Sequence, residues 1–206
     1  MSYQPNLKLL LGTYNAGKAV EISSVLRDLG IQFSSLRDFP QIQTVEESGS
    51  TYEENAILKA QGYARQTALW TLADDSGLEV DALGGAPGVW SARYAGARAS
   101  DGDRVVRLLG ELEGIPAPDR TARFVSVVAL TDSAAKLVRV ERGVCEGRII
   151  DSARGSNGFG YDPVFVPHGF TLTFAELPAE TKDAISHRGK ALQAMQHFLM
   201  QQITST

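Results

Sequence analysis

The sequence predicts an α/β fold with a mixed β-sheet. Strand-like and helix-like segments alternate through the first half of the chain, and Val-rich segments cluster between Arg123 and Ile150. Of the 206 residues, 43% are apolar, enough to bury a sizeable core at this length. Alternation alone would favour a purely parallel sheet; the late cluster argues for a mixed one.

The elements follow in order. Leu7 to Leu11 reads as a short buried strand, and Ala16 to Leu29 as a helix with Val20, Ile22, Val25, Leu26 and Leu29 near period 3.6 and Gly30 as its stop. Ile31 to Leu36 fits a second strand. A capping box, Thr51-Tyr-Glu-Glu54, opens a helix to about Thr67. Leu69 to Ala73 is a brief apolar strand leading into Asp74-Asp75-Ser76-Gly77. Asp101 to Leu112 is helical, with Val105, Val106, Leu108, Leu109 and Leu112 as its apolar residues. Arg123 to Leu130 and Lys136 to Ile150, separated by a Thr131-Asp-Ser break, form an expected antiparallel pair. After a glycine-rich loop at 155–160 and Pro163 to Val166, Ser186 is placed to cap a last helix whose stripe is Ala191, Leu192, Met195, Phe198 and Leu199. Without repeats, low-complexity tracts or a long polar linker, residues 1–206 read as a single domain.

Composition excludes several classes. Lys and Arg number 20 against 24 Asp and Glu, a formal charge of −4, which argues against a nonspecific binder of nucleic-acid polymers. One cysteine, Cys145, excludes an intramolecular disulfide and fits a reducing compartment. No apolar run approaches the ~18 residues of a membrane span, and the first residues lack a signal-peptide layout. A soluble cytoplasmic protein without membrane partners is expected. Glycine, at 20 residues, is in excess without a collagen-like period, so it is expected to serve local backbone needs.

Four segments can carry chemistry. Gly12-Thr-Tyr-Asn-Ala-Gly17-Lys18-Ala19 lies between a strand and a helix and nearly spells a phosphate-binding loop, but Ala19 stands where a metal-binding hydroxyl belongs. Helix-start N–H groups, Lys18 and an Asn15 cap can face a phosphate; the same residues also suit an ordinary turn with an exposed lysine. Asp74 and Asp75 should point to opposite faces of their strand, so one is the better candidate to hold a metal or position water; an Asx turn leaving the strand is the alternative. Glu46-Glu47, by itself a solvated acidic pair, gains interest because any metal must be held away from position 19. Finally, Gly155 to Pro163 presents Phe159, Tyr161 and Asp162 on a loop, and Lys182 precedes Ser186-His187-Arg188-Gly189-Lys190 at a helix start. Cations there oppose the helix dipole, a conflict that an anion would resolve, and Phe159 can stack on a base while His187 and Arg188 donate to its edge. Core aromatics and a solvated basic helix end are the plainer readings.

Taken in order, six segments closely resemble the inosine triphosphate pyrophosphatase family. They are Thr13 to Lys18; Glu46 to Gly49 with Tyr52 to Ala60; Ala73 to Leu78; Leu83 to Gly88 with Ser91 to Tyr94; Gly158 to Pro163; and Ile185 to Gly189. The resemblance runs from about Leu7 to Leu199. It implies a two-lobed α/β fold with a long mixed, twisted sheet, flanking helices and a central cleft, assembled as a homodimer. It implies Mg²⁺-dependent hydrolysis of dITP, ITP or XTP to the monophosphate and pyrophosphate, which cleanses the nucleotide pool. Carried over by position, Asp75 would be the catalytic base and a metal ligand, with Glu47, ahead of Glu46, as the second metal carboxylate. Thr13, Tyr14, Asn15, Ala16, Gly17 and Lys18 would hold the triphosphate with Ser76, Lys182 and Lys59. Phe159, Gly160, Tyr161, Asp162, His187 and Arg188 would form the base pocket. Tyr14 stands where that family usually carries glycine, beside the expected phosphates or sugar. The competing readings are a P-loop-like NTPase releasing orthophosphate, supported only by Gly12 to Ala19, and a non-catalytic nucleotide sensor.

Overall fold

The computed structural model describes residues 8–204. Leu7, where the first strand was expected to begin, lies outside the described residues. Strand β1 (Lys8–Leu11) is followed by helix α1 (Ala16–Leu26), whose expected last turn is instead a 3-10 turn at Arg27–Leu29. Strand β2 (Gln32–Ser35), helix α2 (Tyr52–Thr67), strand β3 (Trp70–Val80) and helix α3 (Asp101–Glu111) come next. Strands β4 (Thr121–Thr131), β5 (Leu137–Ile149) and β6 (Phe165–Pro167) precede helices α4 (Ala179–Ile185) and α5 (His187–Thr204). The sheet order is β2-β1-β3-β4-β5-β6. Strand β1 is parallel to β2 and β3, with Leu10 opposite Ser34 and Thr71, while β5 and β6 are antiparallel. The sheet is therefore mixed, as expected.

Local chemistry sets the helix starts. Thr51 Oγ1 accepts from Glu54 N while Glu54 bonds back to Thr51 N, the predicted capping box of α2. Ser100 and Asp103 build the same device on α3.

Strand β3 is longer than its apolar run suggested. It does not end at Ala73 but continues through both aspartates, Ser76 and Gly77 to Val80. Asp74 and Asp75 are buried, and cations distant in sequence compensate them, so the carboxylates do not force the chain out into a turn. The side-chain oxygen of Ser91 also accepts from Leu78 N at 2.9 Å, satisfying the backbone further along the strand. Helix α4 has no counterpart in the expectation; Ser186 is its extended C-cap as well as the residue before α5.

The chain divides into two compact units. One comprises residues up to Asp75, Ser126–Gly143 and the segment from Arg188; the other comprises Ser76–Val125 and Val144–His187. The first unit packs Leu9, Leu11, Ile22, Leu26 and Leu72 with Val128, Leu130 and the α5 residues Ala191, Leu192, Met195 and Leu199. Burying each of the larger α5 side chains contributes about 1.5–3 kcal/mol. The core of the second gathers Leu78, Val80, Leu108, Phe124, Ile149, Tyr161, Phe165 and Phe174. No helix among the described residues is long and apolar enough to cross a membrane.

Candidate active site

The first unit brings together the loop after β1, the α2 face and the middle of β3. Gly12 leaves β1 against β3, donating to Leu72 O at 2.8 Å. A side chain there would meet Ala73 Cβ at 3.0 Å and the Tyr63 ring at 3.2 Å, so the close approach requires glycine. Thr13 Oγ1 accepts from Asn15 N, and Asn15 caps α1 by accepting from Lys18 N at 3.0 Å. The N–H groups of Ala16 and Gly17 lie in the first helical turn, where no intrahelical acceptor exists. The Tyr14 ring meets Tyr63 edge to face at 6.5 Å and is 43% exposed. Ala19 packs against the apolar core, so this turn offers no hydroxyl to a metal at that position.

Helix α2 places Asn55 and Lys59 one turn apart on its buried face. Asn55 Nδ2 donates to Asp75 Oδ2 at 3.0 Å. The Lys59 ammonium lies 2.7 Å from Glu47 Oε1 and 3.5 Å from Asp75 Oδ1, so both carboxylates converge on one cation. Glu46, in contrast, is exposed. The neighbouring Asp74 uses other partners, consistent with alternation along β3: its Oδ2 receives Lys18 Nζ at 3.0 Å and Arg188 Nε at 3.1 Å. The Arg188 guanidinium also pairs with Glu21 of α1. The cation at the start of α5 is therefore balanced by two of the protein's own carboxylates. At Arg188 these carboxylates offset the unfavourable dipole.

These contacts set the protonation chemistry. Burial alone would raise the Asp74 pKa, but Lys18, Arg188 and Lys59 outweigh it and hold the carboxyl well below the usual range. Burial pushes Asp75 the other way, above an ordinary aspartate, despite the opposing pull of Lys59 and Lys18. Lys59 is held above its ordinary value because Asp75, Asp74 and Glu47 overcome its burial. Lys18 is pulled below its own by burial and by repulsion from Lys59 and Arg188, with Asp74 as the main opposing charge. Lys18 is thus the less compensated of the two lysines. An arriving anion would favour its charged form.

The second unit assembles the aromatic group. Asp162 is 3% exposed, and its Oδ2 accepts from Phe159 N at 2.9 Å and from Lys182 Nζ at 2.6 Å. The Lys182 ammonium also lies 5.0 Å from the Phe159 ring centroid, a cation–π contact. Lys182 therefore sits with Asp162 and Phe159. His187 stacks on Phe124 at 4.6 Å with an 11° interplanar angle. Tyr161 is buried and donates to Ser91 O at 3.0 Å, while Ser76 is half-buried on β3. Gly158 has φ +73°, and an added Cβ would collide with the Asp162 carboxylate. Gly158→Ala is expected to lose about 1–3 kcal/mol of stability in urea unfolding; an unchanged midpoint would mean that the loop has room for a methyl group.

Glu21, Asn55, Phe124 and the pairing role of Asp74 were not singled out from sequence. Asn55 had a usable signal: with Lys59 it makes a polar pair four residues apart on a helix face otherwise occupied by Tyr52, Ala56, Ala60 and Tyr63. Glu21 had none, since its partner lies 167 residues away.

A model of the Ham1 family matches residues 9–198. The chain belongs to the Ham1 family. This Ham1-family chain is 48% identical over 193 residues to a dITP/XTP pyrophosphatase of Desulforamulus reducens, covering 94% of this chain and 96% of that protein. It is 48% identical over 192 residues to a dITP/XTP pyrophosphatase of Geobacter sulfurreducens, covering 93% and 96%. Among solved structures, a HAM1 protein from Coxiella burnetii superposes with a TM-score of 0.85 at 44% identity, covering 95% of this chain and 99% of that one. Family and fold class both bear out the resemblance read from the six segments.

Proposed function

We propose that the chain hydrolyses non-standard purine nucleoside triphosphates, namely dITP, ITP and XTP, to the nucleoside monophosphate and pyrophosphate. The observation that carries this reading is the cluster of Asp75, Asn55, Lys59 and Glu47 beside the capped α1 start and Lys18. The dITP/XTP pyrophosphatase relatives, at 48% identity, support the same chemistry. Asp75, with its raised pKa, takes a proton from the water that attacks the α-phosphorus. Asn55 fixes the orientation of that carboxylate through Oδ2. Lys18 and Lys59 face the growing negative charge on the departing pyrophosphate.

A magnesium ion belongs to this reading, and the residues present fit one. Glu47 and Asp75 already share one cation, the Lys59 ammonium. Among the described residues no group of three or more His, Cys, Asp or Glu gathers for a metal. Two carboxylates completed by phosphate oxygens and water suit magnesium, which seldom uses an all-protein cage. When bound, it would supply positive charge to the phosphates and lower the pKa of coordinated water.

The aromatic group reads the base. Phe159 offers a stacking face. His187 supplies a donor to a 6-oxo group, present in hypoxanthine and xanthine but replaced by an amino donor in adenine. A buried donor facing a donor costs about 1–3 kcal/mol. The reading also includes a homodimer acting in the cytoplasm, supported by the resemblance.

The deciding experiment is a product assay over a panel of triphosphates with and without Mg²⁺. Pyrophosphate from ITP, dITP and XTP is expected, with kcat/KM for ITP about a hundredfold above that for ATP. Orthophosphate would favour a P-loop-type NTPase, equal values for ITP and GTP would remove the housecleaning role, and tight binding without turnover would favour a sensor.

A further inference from the structure

We infer that Asp101 is a positioning residue for base recognition: its carboxylate, braced by Arg104, holds the Gly160 N–H and fixes the direction in which the loop presents Phe159. The inference rests on the reading that Phe159 stacks on a purine. Asp101 opens α3, 59 residues from the loop in sequence, and its Oδ2 accepts from Gly160 N at 2.7 Å. Its other oxygen pairs with Arg104, whose Nη1 also donates to Ala92 O at 2.6 Å and Ala99 O at 3.0 Å. The carboxylate is thus tied at both oxygens, and the guanidinium that ties it is anchored to backbone.

The position of the two amides gives the contact its consequence. The N–H groups of Phe159 and Gly160 bracket the Phe159 Cα, and each ends on a carboxylate: Phe159 N on Asp162 at 2.9 Å, Gly160 N on Asp101. Holding both peptides restricts both backbone torsions of Phe159, and therefore where its ring can point. Hydrogen bonds to an ionised acceptor are the stronger kind. The Gly160 N–H and Arg104 lower the Asp101 pKa against the effect of its burial, keeping it ionised. Nor is Asp101 needed to cap its own helix: Ser100 Oγ accepts from Asp103 N at 3.1 Å and Asp103 Oδ2 accepts from Ser100 N at 2.8 Å, which completes the capping box.

Three variants test this: Asp101→Ala, Asp101→Asn and, as a helix-stability control, Asp103→Ala. In Asp101→Ala the Gly160 amide is expected to exchange with solvent deuterium about tenfold faster. The ITP-over-ATP ratio of kcat/KM is expected to fall about fivefold, carried by KM for ITP with kcat within about twofold. Asp101→Asn should recover most of the ratio, because an amide oxygen also accepts the N–H. Asp103→Ala should lower the melting temperature and leave both readouts at wild-type values. Unchanged exchange in Asp101→Ala overturns the inference, as does faster exchange with an unchanged ratio, or an equal loss of ratio in Asp103→Ala. Should the wild-type protein release no pyrophosphate from any purine triphosphate, the functional reading alone fails; the exchange measurement needs no substrate and still judges the contact.

Discussion

Asp75→Asn is expected to slow pyrophosphate release from ITP about a thousandfold while nucleotide affinity, measured without Mg²⁺, stays within about threefold. The substitution keeps the shape of the side chain and an oxygen for Asn55 Nδ2, now 3.0 Å from Asp75 Oδ2. What it removes is basicity and one negative charge. A general base contributes about 10²–10⁴ in rate, and the loss of a metal-binding carboxylate adds to that. Charge balance in the cluster is disturbed but not abolished, because Lys59 retains Glu47 at 2.7 Å. The melting temperature should therefore move far less than the rate. Steady-state kinetics and titration calorimetry on the same preparation separate the two effects: a variant keeping more than about a tenth of wild-type turnover removes Asp75 from the base role. A rate that fell only in step with the melting temperature would make the residue structural.

The elements read from sequence are those whose determinants are local. The α2 capping box, the Gly12 turn between strand and helix, and the α5 stripe all place their causes within a few residues of their effects. Strand β3 was read short because Asp74-Asp75-Ser-Gly carries turn chemistry, and its compensation comes from Lys18, Lys59 and Arg188, which no local window contains. Helix α4 was missed for a related reason. It has 7 residues, starts after Pro178 without a side-chain cap, and is too short for an amphipathic period to register.

The candidate site divides the same way. Its residue types were legible because each motif carries chemistry on its face: a capped helix start with a lysine, paired aspartates, rings on a glycine loop. The partnerships were not. Arg188 pairs with Asp74 and Glu21, and Lys182 with Asp162, partners that no local window of sequence contains. Any of these cations could suit an anion, and only the fold decides which carboxylate reaches which cation.

The largest stability effect is expected at Asp74. Its side chain is fully buried, and its Oδ2 serves two cations at 3.0 and 3.1 Å, the Arg188 partner being itself only 2% exposed. Asp74→Asn leaves Lys18 and Arg188 facing each other with Glu21 and Asp75 as the remaining nearby carboxylates. Removing one member of a buried pair costs about 3–5 kcal/mol, chiefly because the surviving charge stays out of water without compensation. For a chain of this length that corresponds to a melting temperature lower by about 10 °C. The effect should be conditional on the charges. Adding Arg188→Gln to Asp74→Asn removes one stranded cation, so the double variant is expected to fall short of the sum of the two single losses by about 1–3 kcal/mol in a urea-unfolding cycle. Additive losses would show that Asp74 stabilises β3 by packing alone. A single-variant loss under about 1 kcal/mol would show that solvent reaches the cluster and screens it as it screens a surface pair.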